Sequence, residues 1–365
     1  MEPIGIAGAG ISGLAAAIHL AKNGVPVTVY ERGRDVASRF EEEFQGFENW
    51  STDEDVLVLL EKMGISPRFF YCKPSYELEV VDDRARRYTI WSGDRPGAYI
   101  IKRGKEPDSI DQYLKERALE LGVKIQFGRS PEDREVKILA KGPQAVRSVA
   151  YGIKAEVNHP DHVAILLDDR LAPKCYAYLV MLDGKMILVS TLMRQFHKAK
   201  ECFATTLERV KRMYSLDPKD MRPLRGYFDF SLRSSHVVNG RILVGECAGF
   251  QDYLFGFGMR YAVLSGYLAA RSIIEGLDYD RLITEEMTKS LRASMINRYI
   301  FEKLGNWGYR RLIHRWERSR NVLLFMKRWY EWRPYKWFLF PLARRWFDKK
   351  QKARVGSLSA TFHVA

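Results

Sequence analysis

The 365-residue sequence predicts an α/β fold: a doubly wound unit around a parallel sheet, an inserted antiparallel sheet and a helical C-terminal region. Three observations support this prediction. Near the N-terminus an apolar strand leads through a glycine-rich turn into a helix rich in Ala and Leu. Short runs of alternating polar and apolar residues occupy the middle of the chain. Beyond residue 295 apolar residues recur at helical spacing among many arginines and tryptophans.

The first unit begins with the stretch PIGIAGAGISGLAAAIHLAKNGVPVTVYERG, residues 3–33. It predicts a strand, a turn with the spacing G-x-G-x-x-G, a helix and a second parallel strand that ends at Glu31. Gly8 permits the tight turn, Gly10 lets the backbone approach a pyrophosphate, and Gly13 lets the helix pack against the strand. We expect the turn to bind the diphosphate of FAD or NAD, and Glu31 to bind a ribose. The predicted contacts are Gly8, Gly10, Ile11, Ser12, Gly13, Glu31 and Arg32.

A second glycine-rich stretch, NGRILVGECAGFQDYLFGFGMRYAVLSGYLAARSI at residues 239–273, bears on the choice between these dinucleotides. It resembles the second flavin motif of the FAD-dependent family that includes aromatic hydroxylases and geranylgeranyl reductases. The resemblance implies FAD, with a carboxylate on the ribityl chain and a helix N-terminus near the isoalloxazine ring. The cofactor residues that it implies here are Glu246, Gly249, Gly256, Gly258 and Met259.

A third stretch, residues 99–128, resembles the segment in which this family places an arginine near the cofactor, and Arg103 matches that arginine. Two departures stand beside these similarities. Glu246 replaces the aspartate that is usual in the family. The pair Lys141-Gly142 stands where relatives reduced directly by NAD(P)H carry Asp-Gly, which argues against a hydroxylase of that kind.

The middle of the chain predicts the wall of a substrate cavity. Residues 76–93 and 162–192 contain alternating runs separated by turn residues, which are typical of antiparallel strands. The resemblance to geranylgeranyl reductases implies that Tyr176 and Tyr178 line a tunnel for an isoprenoid chain, although both can equally belong to an ordinary structural strand. Cys247, inside the flavin loop, is a candidate catalytic thiol or a small packing residue.

The C-terminal region carries most of the net charge of +14. Residues 303–354 hold sixteen cations against three acids, together with six of the eight tryptophans. Tryptophan beside Lys and Arg is typical of segments at a lipid headgroup boundary, so we expect this region to bind an anionic membrane surface. The alternative is a helical cap on the flavin domain with a solvated basic face; nucleic acid is not expected. The predicted helices are broken near Pro334 and Pro341.

Other features narrow the class of protein. The four cysteines and seven histidines lack metal-ligand spacing, so no metal site is predicted. No apolar run approaches the roughly 18–20 residues that span a bilayer, and no signal peptide is recognised. We therefore expect a cytoplasmic protein, peripheral at the inner face of the membrane.

The resemblance and the patterns together predict a Rossmann-type FAD-binding domain with an inserted substrate domain. Residues 1–72, 99–155 and 236–295 form the former, residues 73–98 and 156–235 the latter, and residues 296–365 the basic helical region. The implied function is a flavin-dependent enzyme that reduces C=C bonds of an isoprenoid or other hydrophobic substrate. A hydroxylase of the same fold and a membrane flavoprotein that only passes electrons remain alternatives, and the electron donor is not identified.

Overall fold

A computed structural model of the protein describes residues 2–355, with the side chains of 133 and 350–355 excepted. The last ten residues of the predicted C-terminal region therefore lie outside the described residues. The strands are β1 (Ile4–Ala7), β2 (Val27–Glu31), β3 (Glu43–Glu48), β4 (Cys72–Ser75), β5 (Glu77–Asp82), β6 (Arg87–Trp91), β7 (Ala98–Arg103), β8 (Lys124–Phe127), β9 (Ile138–Leu139), β10 (Ser148–Glu156), β11 (His162–Leu167), β12 (Ala177–Leu182), β13 (Lys185–Leu192), β14 (Lys219–Phe228), β15 (Val237–Val238) and β16 (Arg241–Leu243). The α-helices are α1 (Ile11–Lys22), α2 (Val56–Lys62), α3 (Ile110–Glu120), α4 (Ala199–Tyr214), α5 (Met259–Glu275), α6 (Tyr279–Glu286), α7 (Thr288–Arg318), α8 (Val322–Tyr330) and α9 (Tyr335–Val355).

The first sheet is the predicted parallel sheet of the doubly wound unit. Its six strands have the order β15-β16-β9-β1-β2-β8, and all of its pairings are parallel except that of β15 with β16. Helices α1 and α5 cross closely at Gly266. A Cβ at this position would lie only 2.2 Å from the carbonyl oxygen of Ser12. The Rossmann-type α/β prediction is confirmed.

The second sheet has seven strands in the order β14-β10-β13-β12-β11-β5-β6, antiparallel except between β5 and β11. One face packs on α4, and the other faces the first unit. Strands β5 and β6 belong to this sheet, and the chain returns to it at Ser148, where β10 begins, within the range 99–155 predicted for the FAD-binding domain. A small third sheet, β3-β7-β4, was not predicted.

The C-terminal region is folded onto the rest of the chain. Tyr309, Leu312, Ile313 and Trp316 form one buried face of α7, and they are among the apolar residues beyond residue 295 that recur at helical spacing. The backbone of α7 breaks at Gly305, whose φ of 58° is outside the helical region. Pro334 precedes α9, but Pro341 lies inside it, so the predicted break there is wrong. The carbonyl that Pro341 leaves unpaired belongs to Trp337, an exposed residue that solvent reaches.

Within residues 2–355 no helix combines the length and the apolar character needed to cross a bilayer.

Candidate active site

The glycine turn after β1 lies at one end of a large cavity. Gly8 has a φ of 110°, and a Cβ on it would lie 2.3 Å from the carbonyl oxygen of Ala140. A Cβ on Gly13 would lie 2.0 Å from the carbonyl oxygen of Gly8, so α1 packs closely on the turn. Both glycines are therefore required by the fold itself.

Gly10 differs from these two glycines. Its backbone is extended, with φ of −80° and ψ of 176°, and a Cβ there would meet no protein atom within 4 Å. Nothing in the protein requires a glycine at this position. The free space lies in the cavity that Gly10 lines, at the N-terminus of α1, where backbone N–H groups bind phosphate. The turn therefore fits a dinucleotide diphosphate.

Glu31 is held at the carboxyl end of β2, where the sequence placed a ribose ligand. Its carboxylate accepts a hydrogen bond of 2.9 Å from the backbone N–H of Ala9 and one of 2.7 Å from that of Gly33. Glu31 and the neighbouring Arg32 both line the cavity next to the glycine turn. The carboxylate is thus fixed in place before any ligand arrives.

The second flavin stretch meets the first across the sheet. Gly245, with a φ of 64°, brings the end of β16 so close to α1 that a Cβ would lie 2.5 Å from Oγ of Ser12. Glu246 lines the cavity and accepts a 2.8 Å hydrogen bond from the backbone N–H of Asp229. Burial raises the pKa of Glu246 to about 7, so this carboxyl gains a proton easily near neutral pH.

The loop before α5 supplies the remaining cofactor candidates. Gly256, Gly258 and Met259 line the cavity, and α5 begins at Met259 with its N-terminal N–H groups unpaired within the helix. Gly249 does not line the cavity. It has a φ of 83° and lies against Ser231, where a Cβ would approach to 2.2 Å, so its role here is to form the turn.

Arg103 lies on the cavity wall and is fixed by a buried ion pair. Its guanidinium donates two hydrogen bonds to Asp111, of 2.7 and 2.9 Å, and one of 3.1 Å to Gln45. The guanidinium also lies over the ring of Phe40, 4.1 Å from its centre. Arg103 therefore shapes the site from a rigid position.

Cys247 is placed as a packing residue and not as a catalytic one. It is only 3% exposed and is absent from the cavity wall. Its thiol contacts the carbonyl oxygens of Leu139 and Val244, at 3.0 and 3.2 Å, and burial raises its pKa. A protonated thiol enclosed in this way cannot reach a substrate in the cavity.

The cavity continues from the glycine turn, without interruption, into an apolar chamber. Its volume of about 890 Å³ is near the upper end of the roughly 300–1,000 Å³ typical of small-molecule sites. One face of the second sheet forms most of the chamber. The apolar and aromatic side chains contributed by this sheet and by β7 include Leu78, Ile90, Ile100, Val163, Ile165, Tyr178, Val180, Leu224, Tyr227 and Phe228.

Tyr176 and Tyr178, the predicted substrate residues, both line this chamber. The Tyr176 hydroxyl donates a 2.6 Å hydrogen bond to the carbonyl oxygen of Phe255 and so ties the second sheet to the loop before α5. Among the described residues the Tyr178 hydroxyl has no hydrogen-bond partner. Burial raises the pKa of both phenols above the ordinary value, so both are protonated at neutral pH.

The C-terminal helices complete the chamber, which the sequence did not reveal. Trp316 from α7 and Val322, Leu323 and Met326 from α8 line the cavity. The helical spacing of the apolar residues beyond residue 295 is typical of helices with one buried face, but it could not show which element that face would meet. Lys141 and Gly142 lie at the polar mouth of the same cavity. Within the described residues no cluster of three metal-ligating side chains occurs.

Comparison with known proteins agrees with this geometry. Residues 6–49 match the sequence profile of the NAD(P)-binding Rossmann-like domain. A search of curated proteins gives no significant match.

Solved structures with the same fold cover most of the chain. The structure is similar to a geranylgeranyl bacteriochlorophyll reductase-like protein from Thermoplasma acidophilum, with a TM-score of 0.68 and 14% identity over 86% of this chain and 91% of that one. It is also similar to a flavin-dependent brominase, with a TM-score of 0.64 and 15% identity over 96% of this chain and 99% of that one. A third similar structure is p-nitrophenol 4-monooxygenase from Pseudomonas putida, with a TM-score of 0.56 and 15% identity over 88% of this chain and 98% of that one. The chain therefore has the fold of FAD-dependent flavoproteins, as predicted.

Proposed function

We propose that this protein is an FAD-dependent oxidoreductase that reduces carbon–carbon double bonds of an isoprenoid or another hydrophobic molecule. The observation that supports the proposal is the single cavity that joins a diphosphate-binding turn to an apolar chamber. An apolar chamber of this kind favours a ligand with little hydrogen-bonding capacity. A protein that only passes electrons has no need of it.

The residues of the chain divide into those that hold the cofactor and those that hold the substrate. The turn at Gly10 would hold the diphosphate, Glu31 the ribose and Glu246 the ribityl chain, and the N-terminus of α5 at Met259 would stabilise negative charge on the ring; all four line the cavity. When bound, FAD supplies the hydride. The second sheet and α8 surround the substrate and exclude water.

Saturation of a C=C bond requires a proton as well as a hydride, one at each carbon. Tyr178 is the candidate donor, because its hydroxyl lies in the chamber wall and is free of other hydrogen bonds among the described residues. Burial raises the pKa of this phenol, so Oη carries a proton at neutral pH; its transfer to the substrate carbon leaves a phenolate, which takes a proton from water once the product has left. The Tyr176 hydroxyl is already engaged by Phe255.

An anaerobic experiment tests the proposed reaction. Purified protein is first examined for bound yellow flavin, which the proposal requires. The flavin is then reduced with dithionite without oxygen, and a polyprenyl substrate such as geranylgeranyl diphosphate is added. Return of the oxidised flavin spectrum, with product heavier by two hydrogen atoms per bond, supports a reductase. Substrate turnover only after oxygen is admitted indicates a monooxygenase, and a colourless protein that takes up no flavin contradicts the proposal.

A further inference from the structure

The first two turns of α9 carry large apolar side chains that the described chain leaves about half or more exposed to solvent. Phe338 is 79% exposed and Trp337 is 64% exposed, and Tyr335 and Leu342 are exposed beside them. We call these four residues the α9 patch. Full burial of one such side chain is worth about 1.5–3 kcal/mol, so the patch has a strong tendency to leave water.

The helix that bears the α9 patch is held in one orientation. Its opposite side is buried, with Phe347 in edge-to-face contact with Tyr253 and Phe230 at ring-centre distances of 5.3 and 6.0 Å. The buried Lys336 donates hydrogen bonds to the last carbonyl groups of α8, one of them 2.7 Å long to Glu331. The α9 patch is therefore preformed, and a partner need not order it.

Exposed basic residues follow the α9 patch along the same side of the helix. Phe338 and Leu342 share one side of the helix with Arg345 and Lys349, at spacings of three, four or seven residues, and all four are exposed. Residues 327–349 contain seven cations and two acids. Arg333 and Arg344 pair with the two acids, Lys327 pairs with Asp53, and Lys336 is buried. The other three cations are exposed: Arg328, Arg345 and Lys349. The surface thus combines aromatic side chains with unbalanced positive charge.

We propose that this face of α9 docks the protein onto an anionic lipid bilayer. Tryptophan and phenylalanine enter the headgroup boundary, and each nearby basic residue adds about 1 kcal/mol of attraction to anionic lipid. A bilayer accepts a strip one helix wide. A stable second copy of the chain needs about 800 Å² of complementary surface on each partner, which a two-turn strip does not offer.

Docking through the α9 patch brings the bilayer close to the apolar chamber. The inference that substrate enters the chamber from the lipid rests on the proposed function. Helix α8 leads directly into α9 and lines the cavity with Leu323 and Met326. Leu324 on the same helix is exposed to the outside. One helix therefore separates the apolar chamber from the surface, and a sparingly soluble substrate has a short path from lipid to the chamber.

The test compares vesicle binding by the full-length protein and two double variants. Vesicles of phosphatidylcholine alone, and with about a third of phosphatidylglycerol, are floated on a density gradient with each protein. Trp337→Ser/Phe338→Ser removes the two largest side chains of the α9 patch. The matched control, Trp91→Ser/Phe69→Ser, removes a tryptophan and a phenylalanine that are 51% and 67% exposed on other elements. Truncation is unsuitable, because α7 and α8 supply buried core.

We expect the unaltered protein and the control to float with anionic vesicles and the α9 variant to float at least tenfold less. A charge variant, Arg344→Glu/Arg345→Glu, should lose the preference for anionic lipid. Equal flotation of all variants, or none by the unaltered protein, overturns the proposal. Light scattering that shows a dimer dissolved by Trp337→Ser/Phe338→Ser, or competition by RNA without vesicle binding, also overturns it. Flavin content measured on the same samples separates this outcome from failure of the proposed function.

Discussion

The two ends of the cavity are built in different ways. We call the end that is proposed to hold the diphosphate the diphosphate end, and the other the substrate end. The diphosphate end is made mainly of backbone: the glycine turn, the N-terminus of α1 and a carboxylate fixed by two backbone N–H groups. The substrate end is made of side chains from the second sheet, β7, α7 and α8. Backbone contacts suit a ligand part that never changes, whereas side-chain walls can be altered one residue at a time. This contrast gives each end its own response to mutation.

The largest effect is expected at Gly10. In Gly10→Ala the methyl group meets no protein atom but occupies the space left for the diphosphate, so flavin binding should weaken about 1,000-fold, or about 4 kcal/mol. Titration of flavin-free protein by fluorescence measures this, and thermal melting should show unchanged stability.

Gly13→Ala is the counterpart of that variant. Its methyl group would collide with the carbonyl oxygen of Gly8, so we expect it to lower the stability of the fold by about 1–3 kcal/mol. If Gly10→Ala retained normal flavin affinity, the assignment of the diphosphate to this turn would be wrong.

The next effect separates the two tyrosines of the chamber. Tyr178→Phe removes the candidate proton donor, so turnover should fall about 100-fold while flavin binding stays unchanged. Tyr176→Phe instead removes the hydrogen bond to Phe255 and should cost about 1 kcal/mol of stability. Stopped-flow reoxidation and melting curves distinguish these outcomes. A stable Tyr178→Phe protein with full turnover would exclude this hydroxyl as the donor.

A smaller effect is expected when the apolar chamber is filled. Ile165→Trp places extra volume on the wall formed by β11, so substrate affinity should fall at least about tenfold, or about 1.4 kcal/mol, with flavin retained. Thr89→Trp, at an exposed position on β6, is the control and should bind substrate normally. Loss of flavin from Ile165→Trp would show that the two ends are not independent.

The smallest effect concerns pH and Glu246. Its pKa is raised from the ordinary 4.5 to about 7, so the folded flavin-free protein holds this proton more tightly than the unfolded chain. The stability that this provides is complete below pH 4.5 and is lost as pH rises through 7. The side chain of Glu246→Gln cannot ionise. As pH rises from 5 to 8, the free energy of unfolding of this variant should therefore increase relative to that of the unaltered protein, by about 1 kcal/mol because Glu246 is partly exposed. Melting temperatures measure this. If they differed between the two proteins by the same amount at pH 5 and at pH 8, the raised pKa of Glu246 would be contradicted.

The same contrast explains how far the sequence predicted the structure. Gly8, Gly10, Gly13 and Glu31 lie within one local stretch, so their spacing was sufficient to predict the strand, the glycine turn and the helix that form one end of the cavity. The substrate end joins β6, β11, β14 and α8, which are distant in sequence, and no local pattern could show that they meet.

Two placements could not be predicted from the local sequence. Cys247 lies among cofactor residues in sequence, yet its side chain points into the sheet and contacts Leu139. The strand from Ser148 resembles its neighbours locally, and only pairing with β13 assigns it to the second sheet. In both cases long-range contacts decided the outcome.

Helix α8 forms a wall of the apolar chamber that is one helix thick, and substitutions in this helix can change the size of the chamber. Its inward residues Leu323 and Met326 line the chamber and belong to a different element from the glycine turn, Glu31 and Glu246. Exchanging them for larger or smaller side chains would change the length of molecule accepted while the redox machinery stays intact. Diversification of substrate size in proteins built like this one can therefore proceed by editing a single nine-residue helix.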